Sequence, residues 1–374
     1  MKKILYLLII LITIGCISSC RDMDSIYEKF VVPSGLKYPQ RPDSLRIQSG
    51  YNKLRIKWLK AKDPSITYAI VYWNNYHDSV KVDIPQNQDT VFVDVDNLTE
   101  GNYTFHVKTF DNLGNSSIPT EISGSSYGDN YLIGATDRTY SSALRDDKLN
   151  GTIIWNRETA DLVYTEVRYK TNLGTTKTVR LLSNESTLKI ADIKPGELFE
   201  YRSVFLPKDG IDSVARNWRV SDKPFLYKYP RIGWTAEARN GNHDWGDGGG
   251  GQTFLLFDSD KATGWHSRVG APFPQCVVVD MKESLPIDHI IIIPPGPPNW
   301  RYLKDIAIYM SDTPLTPDSP HPSWGEPDAR ATYQGGESFT INFPSGVSGQ
   351  YAALVFPNST SAYISFMEFD VFGY

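Results

Sequence analysis

Phe257-Asp258-Ser259-Asp260-Lys261-Ala262-Thr263-Gly264-Trp265-His266-Ser267 gathers two carboxylates, three hydroxyls and one tryptophan into eleven residues of a 374-residue chain. Downstream of it, Cys276, Val278 and Asp280 alternate with Val277, Val279 and Met281, the period of a β-strand. Ile290 to Ile293 is a continuous apolar run, which predicts a strand buried on both faces. Ile306, Ile308 and Met310 alternate with Ala307 and Tyr309, and residues 351–356 and 364–372 close the chain as two more strands. Residues 239–252 and 294–302 are long loops rich in Gly and Pro, and loops on a rigid sandwich are where binding usually sits.

Upstream, short apolar runs separated by turn signals fill residues 41–228. Leu54, Ile56 and Trp58 alternate with Arg55 and Lys57, and Tyr68, Ile70 and Tyr72 with Ala69 and Val71. Val91, Val93 and Val95 form a third run, and Tyr103, Phe105 and Val107 a fourth. Trp155 follows Trp58 by 97 residues, and Tyr169 follows Tyr72 by the same interval. Asn97-Leu98-x-x-Gly101-x-Tyr103 has an echo in Asp192-Ile193-x-x-Gly196-x-Leu198. A period of that size is a domain duplication, not a solenoid.

The early Trp, the later Tyr and the Leu-x-x-Gly corner resemble fibronectin type III modules. The four C-terminal motifs resemble discoidin (coagulation factor V/VIII type C) domains: 257–267, then Pro274-Gln275-x-Val277-x-Val279-Asp280, then residues 302–311, then Ser365-Phe366-Met367-Glu368-Phe369-x-Val371-Phe372-Gly373. The predicted fold is therefore all-β, with two tandem immunoglobulin-like or fibronectin III-like sandwiches at 41–126 and 127–228. A discoidin-like jelly roll follows at 229–374.

A structural cation is expected in the last domain. Asp258, Asp260 and Thr263 lie within six residues, and a hard cation such as Ca²⁺ collects several such oxygens. Met367, Phe369 and Val371 share one strand face, so Glu368 points the other way and, as in the resembling family, completes the shell. The alternative is that both Asp residues close Asx-turns and Glu368 is solvated.

Sugar recognition needs a flat aromatic face and fixed polar groups for the hydroxyls. Residues 242–247 carry His243 and Trp245, Trp300 and Arg301 follow Asn299, and His266 and Arg268 flank the Trp265 motif. These six are the expected glycan contacts, whereas Trp265 is expected in the core. Exposed Trp73 or Tyr76 would offer a platform in the first module, but both early modules read as spacers. The expected protein is non-catalytic and captures polysaccharide or host glycan. The competing expectation is an adhesin or assembly subunit gripping a cell-surface protein through the same loops, since Trp, Tyr and Arg also dominate protein hot spots.

The start of the chain reads as an address. Lys2 and Lys3 precede the apolar residues 4–15, too short a run to span a bilayer, and Ile17-Ser18-Ser19-Cys20 resembles a bacterial lipobox. Residues 1–19 are the expected signal, Cys20 the lipidated residue and 20–40 a tether from the membrane. With Asp22 and Asp24 after the cysteine, the start resembles Bacteroidetes surface lipoproteins, which places the protein on the outer membrane. Acids outnumber bases by 43 to 38 with no basic run, which leaves no electrostatic footprint for nucleic acid. Residues 248–251 are four glycines without a following Gly-Lys-Ser/Thr, so no phosphate loop is present. Cys276 is expected to be an inert buried thiol.

Overall fold

The computed structural model describes residues 29–32, 35, 37–243, 251–296, 303–317 and 324–374. Cys20, Trp245, Trp300 and Arg301 lie outside the described residues. The chain is all-β, as the strand spacing predicts, and divides into two compact units. One runs to Gly134 and includes Pro207–Asp212; the other holds Ala135–Leu206 and Ser213–Tyr374.

In the first unit a three-stranded sheet (Asp43–Gly50, Lys53–Leu59, Thr90–Val95) faces a four-stranded one (Asp78–Asp83, Ile66–Trp73, Gly101–Asp111, Thr120–Ser126). Leu54, Ile56, Trp58, Phe105 and Val107 fill the core between them. Ala69 and Val71, both 0% exposed, point inward, and Tyr68, Ile70 and Tyr72 face out. The inner layer is already occupied by Trp58 and Phe105, so small side chains fit there. Outside, Tyr68 stacks on Phe110 at 4.9 Å and takes the Lys81 ammonium at 4.2 Å.

The second unit repeats this arrangement. Trp155, 3% exposed, occupies the second strand, Gly151–Trp155, as Trp58 does in the first unit. Its sheet does not stop at the module. It runs Thr187–Ile190, Gly151–Trp155, Tyr140–Arg145, Leu226–Lys228, Glu368–Gly373, His289–Ile293 and Phe339–Asn342, seven strands in hydrogen-bonded order. Leu226–Lys228 pairs in parallel with Tyr140–Arg145 and antiparallel with Glu368–Gly373, so the expected boundary after residue 228 falls at the end of a shared strand.

The C-terminal sandwich packs that sheet against five antiparallel strands: Thr235–Ala238, Gln275–Pro286, Ser348–Phe356, Asp305–Ser311 and Ala329–Thr332. Val277, Val279, Ile290, Ile292, Ile308, Leu354, Phe369 and Trp265 build the core between the layers. Cys276 is fully buried on the opposite face of the five-stranded sheet with Val278, Ala353 and Val355, and Trp324 and Tyr309 cover that cluster. The strands buried on both faces are thus Gln275–Pro286, over residues 275–281, and Ser348–Phe356, over residues 352–356. In His289–Ile293 only Ile290 and Ile292 are buried, while Ile291 and Ile293 on the outer face are half-buried.

Candidate functional site

Strand register brings several chain segments to one end of the C-terminal sandwich. Gln275 pairs with Phe356, Ala307 with Val355, and Ile293 with Glu368, while Met367 N donates to Ile293 O at 2.7 Å. The segments after residue 238, after Ser267, after Ile293 and after Phe356 therefore all open at this end.

Trp265 anchors it from below. It is 0% exposed, its indole lies edge-on to Phe366 at 5.5 Å, and its Nε1 donates to Asn242 Oδ1 at 3.1 Å. Asn242 Nδ2 in turn donates to Gln252 Oε1 at 2.9 Å. The core role expected for Trp265 is the one it has. His243 N donates to His266 O at 3.0 Å and His266 N to Gly251 O at 3.3 Å. Both described flanks of residues 244–250, the segment that carries Trp245, are thus tied to the backbone of His266.

His266 lies under the rim rather than on it. It is 5% exposed, its ring sits 4.3 Å from that of Tyr363 and 5.2 Å from that of His243, and its Nδ1 is 2.6 Å from Ser267 O. Burial lowers its pKa, with His243 adding to the effect and the Ser267 carbonyl opposing it, so the imidazole is neutral near pH 7 and donates from Nδ1. Arg268 is exposed, and His243 and Tyr363 are half-buried. At the neighbouring segment Asn358 Nδ2 donates to Asp305 Oδ2 at 2.8 Å, and Ser359 Oγ donates to Tyr363 O at 2.8 Å. Tyr363 and Asn358 are rim residues that the sequence reading did not single out. Their only signal was a short polar run, residues 358–361, ahead of an aromatic ring.

The four expected cation ligands converge only in part, and not as a metal shell. Asp258 Oδ1 accepts from Asp260 N, and Asp260 Oδ1 from Ala262 N, both at 2.9 Å. These are Asx-turns. The Thr263 hydroxyl donates to Asp258 Oδ2 at 2.6 Å. Glu368 does meet this turn from across the domain, through Arg231, which donates both to the Glu368 carboxylate and to the Ser259 hydroxyl. The cation beside them is a side chain: Arg231 Nη1 is bonded to Glu368 Oε2. Among the described residues no group of three His, Cys, Asp or Glu side chains is placed to hold a metal ion. The expected Ca²⁺ does not fit these donors as they stand, because both Asp258 oxygens, Asp260 Oδ1 and Glu368 Oε2 are already engaged and only Glu368 Oε1 is buried without a donor, too few open oxygens for a hard cation.

In the first unit Tyr76, 46% exposed, stacks on His106 at 4.9 Å, and Trp73 is half-buried 6.0 Å from Phe105.

Residues 20–214 match the family model DUF4998, a domain of unknown function. No curated protein matches the chain. Solved structures similar to it include the C-terminal domain of a chitobiase from Bacteroides fragilis, at 19% identity over 38% of this chain and 95% of that one, with a TM-score of 0.33. A family 32 carbohydrate-binding module of C. perfringens NanJ, solved with galactose, is 17% identical over 40% of this chain and 100% of its own, TM-score 0.33. Chitosan-binding module 2 of a Paenibacillus chitosanase/glucanase, solved with chitotriose, is 19% identical over 39% and 100%, TM-score 0.32.

Proposed function

The chain belongs to the DUF4998 family, whose function is unknown, and we propose that it is a non-catalytic glycan-binding protein of the cell surface. In this reading Cys20 carries the lipid, the early sandwiches space the C-terminal one from the outer membrane, and the open rim captures polysaccharide or host glycan. One observation carries it. The half-buried rings of His243 and Tyr363 rest on a buried, neutral His266, with the exposed Arg268 two residues along the chain. Rings held from beneath give a sugar a fixed apolar face without a large ordering cost. Asn358 and Arg268 supply polar groups beside it. A shallow rim buries few ligand atoms, so single-site affinity is on the order of micromolar to millimolar.

A glycan array probed with the full chain tests this. Binding to one glycan class that Tyr363→Ala, Trp245→Ala or Trp300→Ala weakens at least tenfold, with melting unchanged, is the expected result. A blank array, with a cell-surface protein recovered through the same loops, would replace this reading with that of an adhesin.

A further inference from the structure

Beside the rim, the side chain of Arg231 is 9% exposed, against 5% for Glu368. Its guanidinium donates to Leu256 O at 3.1 Å, to Phe369 O at 3.4 Å, to the Ser259 hydroxyl at 2.7 Å and to the Glu368 carboxylate. Asp370 Oδ1 lies 3.2 Å from Nη1, an ion pair without a hydrogen bond. Two carbonyls, a hydroxyl and carboxylates are the oxygen types that a calcium ion gathers, six to eight at a time. Here they converge on N–H groups. We propose that Arg231 is an internal substitute for a structural divalent cation, tying the turn at residues 256–259 to the strand Glu368–Gly373 so that the C-terminal sandwich needs no calcium.

The charge tally agrees. Asp258, Glu368 and Asp370 face Arg231 and Lys228, whose Nζ is 2.7 Å from Asp370 Oδ2. One carboxylate is in excess. Glu368 Oε1 is buried and meets no donor. Burial foremost, then Asp258 and Asp370, push the Glu368 carboxyl above the usual range against the pull of Arg231. A divalent ion added on top would overshoot neutrality.

Melting of the full chain and calcium titration test the substitution. Wild type is expected to melt at the same temperature in EDTA and in millimolar Ca²⁺, and to give no binding heat. Arg231→Ala is expected to melt roughly 10 °C lower in EDTA, as for a broken buried ion pair, and to recover much of that loss in Ca²⁺. A wild-type transition that EDTA lowers and Ca²⁺ restores overturns the proposal. So does an Arg231→Ala loss that Ca²⁺ leaves untouched, which would make Arg231 an ordinary ion-pair partner. If Arg231→Ala fails to fold in either buffer, the wild-type response alone decides.

Discussion

Gly264 lies against the backbone of Met367 so closely that a Cβ on Gly264 would stand 2.5 Å from Met367 Cα and 2.5 Å from Phe366 O. Neither atom belongs to a flexible side chain, so the strands bearing Trp265 and Phe366 would have to part. Gly264→Ala is expected to destabilise the second unit by about 1–3 kcal/mol, as overpacking does. Gly296→Ala is the control, since a Cβ there meets nothing within 4 Å. Denaturant melts of the two variants check this; equal stabilities would show that Gly264 is not a packing requirement.

The indole of Trp265 and the amide of Asn242 form one unit, with Nε1 to Oδ1 at 3.1 Å. Asn242→Ala leaves a buried N–H without its acceptor, at a cost of about 1–3 kcal/mol. Trp265→Phe removes that N–H, so the double variant is expected to lose less than the two single losses added together. A double-mutant cycle measures the coupling, expected at about 0.5–3 kcal/mol. Strict additivity would mean that the bond contributes nothing.

Much of this was legible beforehand. Leu54, Ile56 and Trp58, repeated by Trp155, carried period-2 alternation and a domain-sized repeat, and both Trp residues are core. Alternation does not say which face is inward. In residues 68–72 the alternation is visible, but it is volume at the core that turns Ala69 and Val71 inward and leaves Tyr68, Ile70 and Tyr72 outside. The oxygen chemistry of Asp258, Asp260, Thr263 and Glu368 is visible in sequence, which is why they present themselves as ligands. Arg231 does not, because nothing local links it to a partner 137 residues away. The strand Leu226–Lys228 was hidden for the same reason: three residues carry no periodicity, and only its two partners define it.

Asp288 gives a pH dependence with a definite sign. It is 4% exposed, 2.8 Å from Lys223 Nζ, 2.7 Å from His289 Nδ1, and accepts from the Tyr374 hydroxyl at 3.0 Å. Burial pushes its carboxyl up, but these hydrogen bonds and the Lys223 charge outweigh burial and hold it below the ordinary aspartate range. The unfolded chain then takes up the proton first. The stabilisation is complete above an unfolded aspartate pKa near 4 (about 3.9) and is lost as pH falls through the depressed folded value. Wild type is expected to exceed Asp288→Asn by about 2 kcal/mol at pH 7, with the gap closing in acid. Denaturant unfolding at several pH values measures it, and a gap that widened in acid would reverse the assignment.

The shared strand predicts where the chain tolerates cutting. A fragment starting at residue 229 lacks Leu226–Lys228, which leaves the Glu368–Gly373 strand with an open edge and removes Tyr227, whose ring stacks under the Arg145 guanidinium at 4.3 Å. An unpaired edge of this kind recruits other chains. Residues 229–374 alone are expected to melt lower and to self-associate, whereas residues 223–374 regain the edge strand and the Lys223–Asp288 pair. Residues 135–374 are expected to be the most stable, because Tyr140–Arg145 then covers the other side of Leu226–Lys228. Calorimetry with light scattering ranks the three fragments. Indistinguishable melting across them would mean that the continuous sheet adds no stability and that the C-terminal sandwich is complete from residue 229.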